Sequence, residues 1–135
     1  MTQQIRALVI TGYGTNCEME MAHACRLAGA SAHIAHLSDI LSGGVRINDF
    51  HFLNLPGGFL DGDDLGSAQV ESVRLKYARV HGTGKTLFEE ITEFISRGML
   101  ILGVCNGFQA LVKSGLLPGN PLGTRRVSLS FNDSA

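Results

Sequence analysis

The chain has 135 residues, with 11 Lys and Arg against 12 Asp and Glu. This length supports one hydrophobic core and excludes a second domain, while 44% hydrophobic residues exclude wholesale disorder. The formal charge of −1, with no basic block, gives no electrostatic case for nucleic acid or an anionic membrane. The longest uncharged run, 98–112, is shorter than the ~20 apolar residues that span a bilayer. Three cysteines without C-x-x-C spacing predict a reduced, cytoplasmic protein without a metal site.

The first half of the chain alternates short apolar runs with one helical pattern. A buried strand is predicted at Arg6–Thr11, followed by a helix that Asn16 caps and Gly29 ends. Further strands are predicted at Ala32–Leu37 and Phe50–Leu55.

The second half predicts three helices and a fourth strand. Ser67 caps a modest helix that runs to Tyr77, and the strand is Met99–Val104. The other helices have apolar faces that define them: Leu87, Phe88, Ile91, Phe94 and Ile95 in one, and Phe108, Leu111 and Val112 within Asn106–Ser114 in the other. This alternation predicts an α/β fold whose parallel sheet is covered on both faces, with its site at the carboxyl ends of the strands.

The segment that carries chemistry is Gly103-Val-Cys-Asn-Gly107, which follows a predicted strand and opens a helix. It has the form of a nucleophile elbow, in which flanking glycines relieve the crowding of a sharp turn. The helix N-terminus favours a thiolate at Cys105, and the N–H of Asn106 can face a developing oxyanion. The alternative is that Cys105 is a small buried hydrophobe, which is the role that we predict for Cys25 and favour for Cys17.

A second glycine-rich segment, Pro56-Gly57-Gly58-Phe59, follows the third predicted strand. Its glycines allow backbone N–H groups to approach a ligand, which suits the other half of an oxyanion hole. A plain β-turn is the alternative. Because the third and fourth strands should end at the same edge of the sheet, we expect this loop to lie beside the elbow.

Two other glycine-containing segments fail as nucleotide sites. In Gly82-Thr-Gly-Lys-Thr86, Arg79 stands where a phosphate-binding loop has its first glycine, so a connector and helix cap is predicted instead. Gly12-Tyr-Gly-Thr-Asn-Cys17 lacks the third glycine of a dinucleotide fingerprint.

A thiol nucleophile also needs a base, yet all five histidines precede Cys105 and none follows it.

These segments resemble the class I glutamine amidotransferase family, and within it the glutaminases that serve purine biosynthesis. The resemblance covers nearly the whole chain and is carried by Gly14-Thr-Asn-Cys-Glu18, Leu55-Pro-Gly-Gly-Phe59 with Gly62-Asp63, Gly103-Val-Cys-Asn-Gly-Phe-Gln109, Gly115-Leu-Leu-Pro-Gly119 and Asn132-Asp-Ser134.

The resemblance implies a flavodoxin-like three-layer sandwich that hydrolyses glutamine through a thioester on Cys105. It implies that Gly57 and Gly58 or Phe59, with Asn106, hold the oxyanion, and that Gln109 and Phe59 seat the glutamine. Ammonia would pass to a separate ATP-dependent synthase subunit that makes formylglycinamidine ribonucleotide, with ATP and Mg²⁺ on that partner and no cofactor on this chain. The short start before the first strand resembles a stand-alone small subunit.

The chain departs from this family in two ways. In this family a His and a Glu near the end of the glutaminase complete the catalytic triad, and the 135 residues end before them. The loop Phe59–Leu65 also differs from the aromatic-containing loop that is usual in the family. We therefore expect residues 1–135 to be the amino-terminal part of one amidotransferase domain, inactive alone and incomplete at the C-terminal side of its sheet. Such a sheet exposes an edge, so self-association is also expected. The alternatives are a cysteine-elbow hydrolase or a glyoxalase- or chaperone-like protein of the same fold, or a fragment that only binds the synthase.

Overall fold

The computed structural model describes residues 3–134, which form a four-stranded, fully parallel sheet with the order β2-β1-β3-β4. The strands are β1 Arg6–Thr11, β2 Ser31–His36, β3 Phe52–Leu55 and β4 Leu100–Gly103. The chain moves from β1 outward to β2 and then returns to the other side of β1, so the strand order switches direction between β1 and β3. Ligands of doubly wound sheets bind in the crevice at such a point.

Five helices and one 3-10 turn connect these strands, as listed here: α1 Glu18–Leu27, α2 Leu37–Leu41, the 3-10 turn Ile47–Asp49, α3 Gln69–Tyr77, α4 Leu87–Ser96 and α5 Asn106–Ser114. The predictions for β1 and α5 are confirmed to the residue, and the other predicted elements are present with shifted ends. The sequence did not predict α2, because Leu37 continues the apolar pattern of β2 before it turns into this five-residue helix.

Helices on both faces make the predicted flavodoxin-like three-layer sandwich. On one face, α1 buries Ala22 and Cys25 against the sheet. On the other face, Leu8 and Leu53 belong to the core cluster that α4 and α5 fill with Leu87, Ile91, Phe94, Ala110 and Leu111. Burial of these apolar side chains stabilises the packing of α4 and α5 against the sheet.

The helices cover both faces of the sheet except at the edge strand β4, which is partly exposed, as expected for a sheet that is incomplete at this side. Leu100 and Leu102 are 69% and 44% exposed. In the register of the sheet, Leu102 lies beside Asn54 of β3 and Val9 of β1, on the face that α1 covers. Helix α1 contacts β1 and β2 and leaves the outer part of this face open. On α5, Phe108 is also exposed, although its spacing had predicted burial.

Two predicted helix caps are wrong and a third segment behaves as predicted. Helix α1 begins after Cys17 instead of Asn16, and α3 begins after Ala68, whereas the hydroxyl of Ser67 donates to Asp63. The connector 82–86 ends on Thr86, whose side chain accepts from the N–H of Glu89 at 3.2 Å while the Glu89 carboxylate accepts from the N–H of Thr86 at 2.6 Å. This reciprocal capping box confirms the connector and helix cap. Among residues 3–134, no helix has the length and apolar character needed to cross a membrane.

Candidate active site

Cys105 lies on the sharp turn between β4 and α5, with backbone angles φ 54° and ψ −112°. Few non-glycine residues adopt such angles, and they cost of order 1–3 kcal/mol. The flanking glycines make the turn possible. A methyl group on Gly103 would lie 2.6 Å from the carbonyl oxygen of Gly107, and one on Gly107 would overlap the carbonyl oxygen of Leu55. Glycine at both positions therefore lets β3, β4 and α5 pack closely around the strained turn that carries the thiol.

The diglycine loop lies against this turn, as its position after β3 predicted. A methyl group on Gly57 would lie 3.4 Å from Cβ of Cys105 and 3.7 Å from Sγ of Cys17. The loop is fixed from the β1 side as well, because the carbonyl of Gly57 accepts from the N–H of Asn16 at 3.2 Å and Gly58 forms a β-bridge with Thr15. Loops from β1, β3 and β4 thus meet at one edge of the sheet.

The backbone donors at this edge differ in availability. The N–H of Phe59 donates to the carbonyl of Gly14 at 2.7 Å, so it is not free to hold an oxyanion. Within residues 3–134, the N–H groups of Gly57, Gly58 and Asn106 donate no hydrogen bond to a backbone carbonyl. Of the loop donors that the resemblance offered, Gly57 and Gly58 therefore remain and Phe59 does not.

The three cysteines occupy different environments. Cys105 is exposed, which removes the alternative that it is a buried hydrophobe. Cys17 is exposed too, so the packing role favoured for it is wrong. Cys25 is buried as predicted, its thiol lies 3.8 Å from Oδ1 of the buried Asn54, and burial raises its pKa. Only the first two thiols are accessible at the surface.

The side chains expected to seat a ligand stay predictions. The ring of Phe59 is 62% exposed beside the diglycine loop. Gln109, one turn into α5, lines a groove with Ser67, Lys113 and the tail residue Phe131. Phe59 thus belongs to the diglycine loop, and Gln109 belongs to the helix that starts at the elbow.

A base for the thiol is not found among the described residues. Within 3–134, no histidine hydrogen bonds to a cysteine: His51 accepts from the N–H of Arg6 at 3.0 Å, and His36 bonds to Ser38 at 2.7 Å. The same range contains no group of three or more His, Cys, Asp or Glu side chains that could hold a metal ion.

Glu71 of α3 is a buried residue beside the elbow that the sequence did not predict. Its carboxylate accepts a 2.6 Å hydrogen bond from Nδ2 of Asn106, and both side chains are 2% exposed. Burial, reinforced by the charge of Asp61, raises the pKa of Glu71 to about 8, although the bond from Asn106 acts in the other direction. No local pattern marks this glutamate, because its partner is 35 residues away.

Comparison with known proteins gives consistent matches. Residues 4–135 match the protein family described as the CobB/CobQ-like glutamine amidotransferase domain. Among curated proteins, the chain is 42% identical over 129 residues to the phosphoribosylformylglycinamidine synthase subunit PurQ of Methanococcus maripaludis, covering 94% of this chain and 44% of that protein. The PurQ subunit of Dehalococcoides mccartyi is 39% identical over 133 residues, covering 97% of this chain and 48% of that protein.

A solved structure agrees with these sequence matches. The structure described as PurLQS from Thermotoga maritima aligns with a TM-score of 0.65 and 30% identity, over 85% of this chain and 46% of that chain. The chain thus spans less than half the length of the curated relatives named above and of this solved chain.

Proposed function

The chain belongs to the CobB/CobQ-like glutamine amidotransferase domain family, and from this premise we propose that it forms the nucleophile-bearing part of a glutaminase. The substrate proposed is the side-chain amide of glutamine. The ammonia would serve the ATP-dependent synthase that makes formylglycinamidine ribonucleotide in the cytoplasm. The relatives named as PurQ subunits of phosphoribosylformylglycinamidine synthase support this choice of substrate and partner.

One observation carries the proposal: an exposed, strained Cys105 lies beside the diglycine loop and the first turn of α5, where the N–H groups of Gly58 and Asn106 have no backbone acceptor in residues 3–134. A buried structural cysteine needs neither strain nor accessible amides. This arrangement suits attack on a carbonyl whose oxygen becomes negative.

The reaction is written from these groups. The sulfur of Cys105, having given its proton to a base, forms a bond to the amide carbon of glutamine, and the C=O electron pair moves to the oxygen. The N–H groups of Gly58 and Asn106 hold that oxyanion, and the N-terminus of α5 adds its positive end. Collapse of this intermediate breaks the C–N bond, the nitrogen takes the proton and leaves as ammonia, and water then hydrolyses the γ-glutamyl thioester.

The base and the partner complete the proposal. We assign the base to the part of the relatives' length that this chain does not span, so we expect the 135-residue chain to hydrolyse no glutamine alone. The synthase subunit would carry ATP and Mg²⁺, and this chain would contribute no cofactor. Phe59 and Gln109 would seat the glutamine at the edge of the sheet.

Covalent labelling tests the nucleophile. We expect a chloroketone analogue of glutamine to modify Cys105, with glutamine slowing the reaction, and peptide mass spectrometry to locate the adduct. Cys17→Ser is the matched control, since Cys17 is the other exposed thiol and its loss should leave the labelling unchanged. An adduct on Cys17 or Cys25 in place of Cys105 would refute the assignment.

Ammonia release tests the reaction and separates it from the alternatives. A polypeptide extended to the length of the relatives should release ammonia from glutamine, and adding the synthase with ATP and Mg²⁺ should couple that release to amidine formation. A different hydrolase of the same fold would release none. Turnover by the 135-residue chain alone would contradict the assignment of the base.

A further inference from the structure

The side chain of Asn106 lies in a closed environment on the protein side of the elbow. Its Nδ2 donates to Oε2 of Glu71 at 2.6 Å, but its Oδ1 is buried and has no hydrogen-bond partner in residues 3–134. A buried acceptor without a donor costs about 1–3 kcal/mol. Because Asn106 directly follows Cys105, the group that donates to this oxygen would belong to the surroundings of the nucleophile.

The protonation state of Glu71 decides whether its carboxyl group can donate to this oxygen. An ionised carboxylate only accepts hydrogen bonds, whereas a protonated carboxyl group has one O–H to donate and one oxygen that accepts. A carboxylic acid and a carboxamide match each other in a ring of two hydrogen bonds. We propose that Glu71 is a protonated positioning residue, which accepts from Nδ2 of Asn106 and donates its own proton to Oδ1, so that the residue after the nucleophile is locked in place.

The surroundings of Glu71 support this protonation. Burial is the main cause that raises its pKa to about 8, and the negative charge of Asp61 acts in the same direction. The Asp61 carboxylate forms an ion pair with Arg74, which lies one turn after Glu71 on α3; its Oδ1 is 2.5 Å from a guanidinium nitrogen of Arg74. Other charged side chains of the packed helices and loop have partners of their own: Glu89, Glu90 and Glu93 on α4, Lys113 on α5 and Asp63 in the loop. Asp64 in the loop is exposed, and Lys76 on α3 is half-buried.

Locking the side chain also fixes the backbone of the elbow. The N–H of Asn106 is the donor that faces the reacting oxygen under the proposed function, and its direction depends on the orientation of the first turn of α5. Helix α3 therefore reaches the site through this pair without touching a substrate. The pairing itself does not depend on glutamine being that substrate, so it can be tested without a glutaminase assay.

Titration of the unmodified chain is the first test. With ¹³C-labelled glutamate, we expect the side-chain carboxyl signal of Glu71 to change with a midpoint near pH 8 instead of its usual 4.5. Glu71→Gln assigns the signal, because it removes it. A midpoint near the usual value would overturn the proposal.

The pH dependence of unfolding is the second test. Between about pH 4.5 and 8 the unfolded chain has lost the Glu71 proton and the folded chain keeps it, so rising pH favours unfolding. The stabilisation is therefore complete below about pH 4.5 and is lost by about pH 8. In the wild type, loss of this one proton raises the unfolding equilibrium constant about tenfold per pH unit in this range. Glu71→Gln mimics the protonated acid and should remove this pH dependence. An unchanged slope would count against the proposal.

Reactivity of Cys105 is the third test, and it addresses positioning. With iodoacetamide, and a free thiol as reference, we expect Glu71→Gln to label Cys105 at the wild-type rate and Glu71→Leu to lower the rate about tenfold. The matched control is Glu90→Gln, since Glu90 is a buried glutamate that accepts from Asn48 at 3.3 Å away from the elbow. Equal rates for the Leu and Gln variants would refute positioning. If Glu71→Leu does not fold, the carboxyl titration of the unmodified chain decides.

Discussion

The N-termini of α5 and α4 follow glycine-containing segments of similar length and have opposite designs. At α4, Thr86 and Glu89 satisfy each other's backbone N–H groups, and a carboxylate already occupies the positive end of the helix. At α5, the N-cap is Cys105, whose side chain makes no cap hydrogen bond, and the N–H of Asn106 has no backbone acceptor among residues 3–134. The N-terminus of α4 is capped by its own side chains, and the N-terminus of α5 has no side-chain cap.

The glycines of the two segments differ in the same way. Methyl groups on Gly82 and Gly84 would meet nothing within 4 Å, so these glycines serve only the positive φ of their turns. Gly103 and Gly107 at the elbow lie against backbone atoms and have no room for a side chain. Glycine content alone therefore does not reveal a site; the distinguishing property is what surrounds each glycine.

The largest effect is expected from Gly107→Ala. The new methyl group would overlap the carbonyl of Leu55, so β3 and α5 must separate, and we expect a loss of about 3 kcal/mol or more in the free energy of unfolding. Gly82→Ala is the control, since only its backbone angle is strained, at a cost of about 1–2 kcal/mol. Denaturant unfolding measures both, and equal losses would show that crowding at the elbow is not decisive.

Replacing Cys105 tests the backbone strain at the elbow. Cys105→Gly should stabilise the fold by about 1 kcal/mol, because glycine adopts a positive φ without penalty. Cys105→Ala keeps the strain and should stay close to wild type. The same unfolding measurement checks both variants. A glycine variant less stable than the alanine variant would contradict a strained elbow.

At the closed helix end, Thr86→Ala should cost about 1 kcal/mol by removing the capping box, with no effect on the labelling of Cys105. Thr92→Ala, in the middle of the same helix, loses only a hydroxyl that donates to the Phe88 carbonyl and should be close to neutral. Thermal unfolding and thiol labelling distinguish them. Slower labelling of Cys105 in the Thr86 variant would show that the two helix ends are coupled.

The smallest effect concerns the sheet beside these helices. Leu102 is exposed on edge strand β4, on the face of the sheet opposite α4 and α5. We therefore expect weak self-association of the isolated chain through this edge. Leu102→Lys should reduce it in sedimentation experiments at high concentration. Leu27→Lys, an exposed leucine on α1, is the matched control and should not. A chain that is monomeric at all concentrations would contradict the expectation.

The sequence predicted what local chemistry controls and missed what depends on distant partners. The limits of β1 and α5 and the meeting of the elbow with the diglycine loop follow from apolar runs and from glycines that end them. The Glu71–Asn106 pair joins residues 35 positions apart, and no periodicity reveals it. Likewise, the exposure of Leu102 depends on how far α1 reaches across the sheet, a tertiary property that an apolar strand pattern does not contain.

The unequal burial of the three thiols has a practical consequence. Cys25 is buried beside Asn54 with a raised pKa, so it should stay silent towards maleimide dyes while the chain is folded. A single Cys17→Ser exchange would leave one attachment point, at the turn itself. A fluorophore there would report on ligand binding near the turn without the need for a cysteine-free background.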